Sequence, residues 1–544
     1  MADRTDVTID RAKARDRGDA TSAVPKRRHD AGAVSAPRPR RLDIARFRPA
    51  ARTVGLAIAY VLGACLLLRP TLTTTVVADD FQAPFALVVN SGPTLGDALS
   101  HGWNIAMTGA KFRLVGAEFG TLMNWLNLWV SATFDLPIDV VFNALKLGVF
   151  VGCAAAAATF WWLVARTHVR PVRWATAFFL TSTALFGSLQ LHALWSNDPV
   201  QSFPFAGFGA TAVGFLMLTT AVWVAARPSW RRYLAATVGT VAGVSYYELN
   251  AGAVLGAGVV LAVAAWAARR DRRRLVLHVV GGSAMCLVPA LLLVVARGAS
   301  PADTYAGRQV RADGAFDFLV RGLLGSLPGG AWQVSEKILQ ARPGLVFSQT
   351  VAVLVVVAAV GLWCARVPEL PPADPATRSR AGALAAGGGV VVYALFAVGL
   401  QSSTVKVQDE MLGIGYVYMF YAVVATSVAL GVAVVTLELI RTRRRAWPRT
   451  VALCCAVVFL VFQGTYNMRL HDLHNSIFKP NAALDNAWDE DVPQGERCRA
   501  IHAWADNPWP DYYRNDVVLG TDKAYRYYFG EAFCPSARRW VRLG

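Results

Sequence analysis

The run Val54–Leu72, VGLAIAYVLGACLLLRPTL, decides the fold. Val54–Leu68 carries no charge, and with Arg69 reaching outward along its own stem the run extends to Leu72. Nineteen residues of helix span roughly 28 Å at 1.5 Å per residue, about the thickness of a bilayer core. Before it, Met1–Thr53 holds 14 Lys/Arg against 7 Asp/Glu and almost no periodic apolar residue. This reads as a disordered basic cytoplasmic tail, residues 1–53, leading into a first membrane span. A cleaved secretory signal fits less well, because the tail is long and no small-residue cleavage site closes the apolar run.

Composition agrees: 55% of residues are hydrophobic, 17% are charged and the mean hydropathy is +0.38, which excludes a soluble domain of this length. Further apolar runs lie at Ile138–Ala165, Trp174–Leu191, Phe205–Ala226, Tyr233–Tyr246, Ala251–Ala268, Leu275–Ala296, Leu345–Ala365, Ala381–Leu400, Gly415–Ile440 and Val451–Tyr466. With the first, they predict an all-α polytopic membrane protein of about eleven transmembrane helices, residues 54–466.

The connectors sort by charge. Arg166–Arg173, Arg227–Arg232, Arg269–Arg274, Arg366–Arg380 and Arg441–Arg449 together hold 19 basic residues against Asp271, Glu369 and Asp374, and so read as cytoplasmic. Residues 73–137 hold five acids and two bases and read as an outside loop. The second long outside connector, 297–344, breaks the pattern with six bases and four acids. The net charge of +18 is therefore mainly a topological signature with some attraction to anionic membrane lipids. No motif supports nucleic-acid binding.

An odd span count places 467–544 outside the cell membrane, opposite the amino terminus. With 10 Lys/Arg, 11 Asp/Glu and many aromatic residues, it reads as a small exoplasmic module. Six of the eight cysteines lie in or beside spans, whereas Cys498 and Cys534 lie in this module, where an oxidising compartment would let them form a disulfide.

Just past the first span comes Ala78-Asp79-Asp80-Phe81, and later in the same loop Gly109-Ala110-Lys111-Phe112-Arg113. An acidic pair can be a solvated loop or a helix cap. Here the order of first span, acidic pair, long outside loop, many further spans and outside tail resembles the GT-C superfamily of integral-membrane glycosyltransferases. The resemblance implies an inverting transfer of sugar from a polyprenyl-phosphate carrier to an envelope glycan, glycolipid or protein. It implies that Asp79 and Asp80 act as catalytic base, as ligands of a divalent cation such as Mg or Mn, or as both. A hydroxyl is a poor nucleophile until a carboxylate takes its proton, and the departing lipid phosphate needs a cation.

Outside cations that could hold that phosphate are Lys111, Arg113, Arg308, Arg311 and Lys406. Arg308 and Arg311 would share one face if their segment is helical. Tyr247 and Glu248 lie at a short outside turn, as do Asp198 and, close by, His192. Each could face a substrate cavity or simply be interfacial polarity, and His192 could also be a metal ligand. Two other classes share this layout. A lipid-linked polysaccharide polymerase or ligase would rely on outside Arg and His without the early Asp pair. A lipid-linked sugar flippase, no enzyme at all, would carry charges deep in several spans, where this chain has only Lys146 well inside one.

Overall fold

The computed structural model describes residues 44–108, 113–192, 198–299, 309–330, 343–366, 379–410, 419–441 and 446–541. The chain divides into two units, Met1–Ala51 and Arg52–Gly544. Of the first, only helical residues 44–51 are described.

The described chain is helical, with an isolated antiparallel bridge between Val310 and Thr404. The α-helices are α1 (Ile44–Leu72), α2 (Ala78–Asn90), α3 (Leu95–Thr108), α4 (Leu114–Phe134), α5 (Ile138–His168), α6 (Trp174–Ser188), α7 (Ala210–Ala226), α8 (Trp230–Tyr246), α9 (Ala251–Ala267), α10 (Arg272–Ala299), α11 (Ala315–Ser326), α12 (Pro343–Arg366), α13 (Arg380–Ser402), α14 (Val405–Glu410), α15 (Phe420–Arg441), α16 (Ala446–Ile477), α17 (Lys479–Asn486), α18 (Gln494–Ala505) and α19 (Asp511–Phe529).

Nine helical segments among the described residues are long and apolar enough to cross a membrane, against the eleven expected. The other two expected spans are α6, with 15 residues, and α8, with 17, so they rise only about 22 and 25 Å. Past Ser188 the chain runs extended and buried, and neighbouring side chains satisfy its backbone. Tyr421 Oη donates to Ser188 O (3.1 Å) and accepts from Gln190 N (3.0 Å), while Asn467 donates to Leu189 O (2.8 Å) and accepts from Leu191 N (3.0 Å). Irregular backbone at such depth is tolerated where protein groups replace the missing water.

Small residues set the closest helix pair. In α9, Gly252 and Gly256 face α13, where a Cβ on Gly256 would strike the Gly389 carbonyl and one on Gly389 would lie 2.8 Å from the Gly256 carbonyl. Spacing of this kind lets two backbones touch without side chains between them.

The carboxyl-terminal residues do not stand apart as a module. α16 continues to Ile477 rather than ending at Tyr466, and α17–α19 share a second hydrophobic core with α2, α4 and the start of α5. Phe85, Trp488, Trp504, Tyr525 and Phe533 are among its deeply buried aromatics. Asp485 of α17 caps α5 across a sequence separation of 347, its Oδ1 accepting from Ile138 N (2.6 Å) and its Oδ2 from Asp139 N (3.2 Å). Burial, and then the neighbouring Asp139, push the Asp485 carboxyl well above the usual carboxylate range. Asn475 accepts from Thr75 N (2.9 Å) and Asn481 donates to Val76 O (3.1 Å), which pins the link between α1 and α2.

A disulfide joins Cys498 to Cys534 across a sequence separation of 36. Closing a loop of that length constrains the unfolded chain by about 3–4 kcal/mol in the chain-entropy model. Cys498→Ser with Cys534→Ser is expected to lower the thermal midpoint of the folded protein. Peptide mass spectrometry without reductant that finds two free thiols would remove the basis for this expectation.

Candidate functional site

α2 begins with both acids in its first turn: Ala78, Asp79, Asp80. No side chain caps this end, and negative charge there is favoured by the exposed N–H groups of the turn. Because the segment is helical, successive side chains diverge by about 100°. Asp79 is exposed, whereas Asp80 lines a cavity of about 480 Å³ with its Oδ2 buried and without a hydrogen-bond partner among the described residues. Desolvation pushes the Asp80 carboxyl well above its ordinary range, the charge of Asp79 adds to this, and Lys146 opposes it.

α2 holds this orientation because its far side is buried. Phe81 and Phe85 enter the second core, Gln82 Nε2 donates to Asp516 of α19 (2.5 Å), and Lys523 Nζ donates to Val88 O (2.7 Å). Tyr513 of α19 is buried within electrostatic reach of Asp79 and Asp80, and burial chiefly raises its own pKa. It carries no distinguishing mark in the sequence.

The opposite wall of the cavity comes from α4 and the end of α8. Arg113, immediately before α4, donates from Nε and Nη2 to the two carboxylate oxygens of Glu248, both at 2.6 Å, and its guanidinium lies 3.8 Å from the centre of the Tyr247 ring. This fork-to-fork pairing fixes the plane of the cation. Phe119, Phe203, Phe205 and Tyr246 form apolar walls, and Asn124 adds a polar group. The Tyr246 hydroxyl donates to Phe205 O (2.8 Å), locking α8 to the turn before α7. Few polar groups on apolar walls is the usual make-up of a small-molecule site.

No family model, curated protein or solved structure matches this chain.

Of the residues singled out from sequence, the fold thus brings together Asp80, Arg113, Tyr247 and Glu248. It leaves others elsewhere. Asp198 and His192 are not at an interfacial surface but almost wholly buried, at 0% and 1% exposure. Asp198 accepts from His192 N (2.9 Å) and Val200 N (2.8 Å) and lies 3.5 Å from His192 Nδ1, a structural tie between the two residues. Arg311 pairs with Asp409 at 2.8 Å on an exposed surface. Its segment is extended, not helical: Arg311 N donates to Ser403 O (2.8 Å) and Val405 N to Gln309 O (2.9 Å), so the anticipated helical face does not form. Lys406 lies on α14, the helix that carries Asp409, outside the cavity wall. Lys111 and Arg308 fall outside the described residues.

The divergence of Asp79 from Asp80 leaves the cavity one carboxylate, and no group of three or more His, Cys, Asp or Glu among the described residues is arranged to hold a metal. One carboxylate builds no protein cage for a divalent cation, although Mg²⁺ can bind through one or two carboxylates with waters and substrate phosphate oxygens completing its shell. No step below is routed through such a cation.

Lys146, the charge that the sequence places well inside a span, received no site role from the sequence. It is fully buried in α5, donates to Gln201 Oε1 at 2.9 Å, and interacts electrostatically with Asp198, Asp80 and Asp139. The start of its helix is anchored by Asp485, which accepts from Ile138 N, a link that sequence proximity does not reveal.

Two glycines of α4 line the cavity and differ in their surroundings. A Cβ on Gly116 would run into the Tyr246 carbonyl, whereas one on Gly120 meets nothing within 4 Å. Gly116→Ala is expected to push α4 from α8 and destabilise by about 1–3 kcal/mol. Gly120→Ala should be neutral or slightly stabilising, by up to about 1 kcal/mol, from helix propensity. Paired thermal melts in lipid nanodiscs check this, and equal effects would contradict the close approach at Gly116.

Proposed function

We propose that this chain is a GT-C-like glycosyltransferase of the cell membrane. It moves a sugar from a polyprenyl-phosphate carrier to an envelope glycan, glycolipid or protein on the exoplasmic face, with its amino terminus cytoplasmic and its carboxyl terminus outside. The observation that carries the reading is Asp80: one carboxylate of the pair, part-buried and unpartnered at Oδ2, facing a cavity that also holds a bidentately fixed arginine.

Each group then has a role. Asp80, ionised, accepts the proton of the acceptor hydroxyl as the oxygen bonds to the anomeric carbon. The bond from that carbon to the phosphate oxygen breaks, its electron pair leaves on the lipid phosphate, and configuration inverts. Arg113, oriented by Glu248 and Tyr247, stabilises the charge gathering on that phosphate. The aromatic walls exclude water and offer flat apolar surfaces to the sugar ring. Arg113 takes the phosphate role for which Arg311, held by Asp409, is poorly placed.

The decisive assay incubates purified protein in nanodiscs with a panel of polyprenyl-phosphate sugars and measures release of free lipid phosphate. Asp80→Asn is expected to reduce turnover by about 10²–10⁴-fold, the usual contribution of a general base, while Asp79→Asn has a smaller effect. Full activity in Asp80→Asn would sink the assignment. Turnover with no donor, together with lipid-linked sugar movement across proteoliposomes, would favour the flippase.

The pH profile supplies a second check. A base must be deprotonated, and the Asp80 carboxyl is raised, so activity should be lost as pH falls through that raised value, with an acid limb above the ordinary carboxylate range. Lys146 pulls the Asp80 carboxyl down, so Lys146→Met should move the limb to still higher pH. An unmoved limb would place the titrating group elsewhere.

A further inference from the structure

A second, larger cavity of about 1000 Å³ lies at the far end of the same helices. α8 places Tyr246 at the Asp80 cavity and begins just after Arg227 and Pro228, which line the second one. The two cavities are therefore separated by roughly 25 Å, the rise of that helix. α5 likewise starts beside α17 and ends, roughly 45 Å on, with Arg166 and His168 in the second cavity's wall.

The charge of this cavity is one-sided. Arg166, Arg227, Arg270 and Arg274 line it against a single acid, Asp271, which already pairs with Arg274 at 3.2 Å. The arginines are exposed to solvent, so their heads are hydrated and available to a ligand. The wall beneath them is apolar, built from Leu163, Val260, Val263 and Ala264. Trp162 and Trp223 also line the cavity, and the Arg166 guanidinium lies 5.4 Å from the centre of the Trp162 ring. Tryptophan at the ends of membrane-length helices marks the depth of lipid head groups.

We propose that this cavity binds the phosphoryl head group of an anionic membrane lipid, with the arginines on the phosphate and the apolar wall along the start of the chains. Guanidinium forks match phosphate oxygens in pairs. A soluble anion would use the arginines but leave the apolar wall without a role, and arginines serving only to orient spans need no cavity. The site is independent of the glycosyl-transfer reading, since it shares no residue with the Asp80 cavity.

The test uses the full chain in nanodiscs, with native mass spectrometry reporting retained lipid. Phosphatidic acid is expected to be retained over phosphatidylcholine by about tenfold, a preference that Arg166→Gln with Arg270→Gln removes. Arg166→Lys with Arg270→Lys keeps the charge and should keep most of the preference, which guards against a folding defect in the glutamine variant. Arg273→Gln, an exposed arginine of the same connector outside the cavity, should leave the preference intact. The proposal is overturned if the glutamine double variant retains the lipid as wild type does, or if Arg273→Gln abolishes the preference equally, which would mean net charge alone. Binding of inorganic pyrophosphate without binding of phosphatidic acid would also overturn it, in favour of a soluble anion.

Discussion

The packing of α17–α19 onto α2 is the interaction on which the candidate site depends. α2 has only 13 residues, contains Pro84 and lacks a side-chain cap, so it has little stability of its own. Burial of Phe81 and Phe85 against Trp488 and Trp504 supplies it, at about 1.5–3 kcal/mol for each large apolar side chain removed from water. That same packing offsets the unfavourable desolvation of Asp80. A carboxyl with a raised pKa stores free energy that the rest of the fold must supply, and here the aromatic core behind the helix does so.

A second constraint runs through the membrane-length helices, where every backbone N–H and C=O needs a protein partner. α6 stops short and the chain turns extended at Leu189, yet Gln463 and Asn467 of α16 and Tyr421 of α15 reach its backbone groups. Polar residues in otherwise apolar helices, which look like flaws in a span, are therefore the partners of an interruption elsewhere. Farther along the chain, Phe203 and Phe205 line the cavity.

The charges divide between the two ends of the bundle. At one end are part-buried or buried groups: Asp80, whose Oδ2 has no hydrogen-bond partner among the described residues, Lys146 held by Gln201, and the Arg113–Glu248 pair. At the other are exposed arginines over a larger cavity. Low local dielectric strengthens interactions in the first setting, and hydration with counterions weakens them in the second. The first arrangement suits chemistry on one bound molecule. The second suits reversible contact with a charged surface.

The sequence by itself determined the helical membrane class, because crossing a bilayer demands apolar runs that are contiguous along the chain. It also marked Asp79-Asp80, Arg113, Tyr247 and Glu248, since charge beside such runs stands out locally. Only the tertiary structure decided which acid faces a cavity, because that depends on α2 being helical rather than extended, and on what covers its other side. Arg113 meets Glu248 across 135 residues and Asp485 meets Ile138 across 347, separations at which no local pattern carries information. The same reason explains why Asp198 and His192, polar and close to a span end, proved to be interior ties. Their burial is set by helices that pack over them from distant parts of the chain.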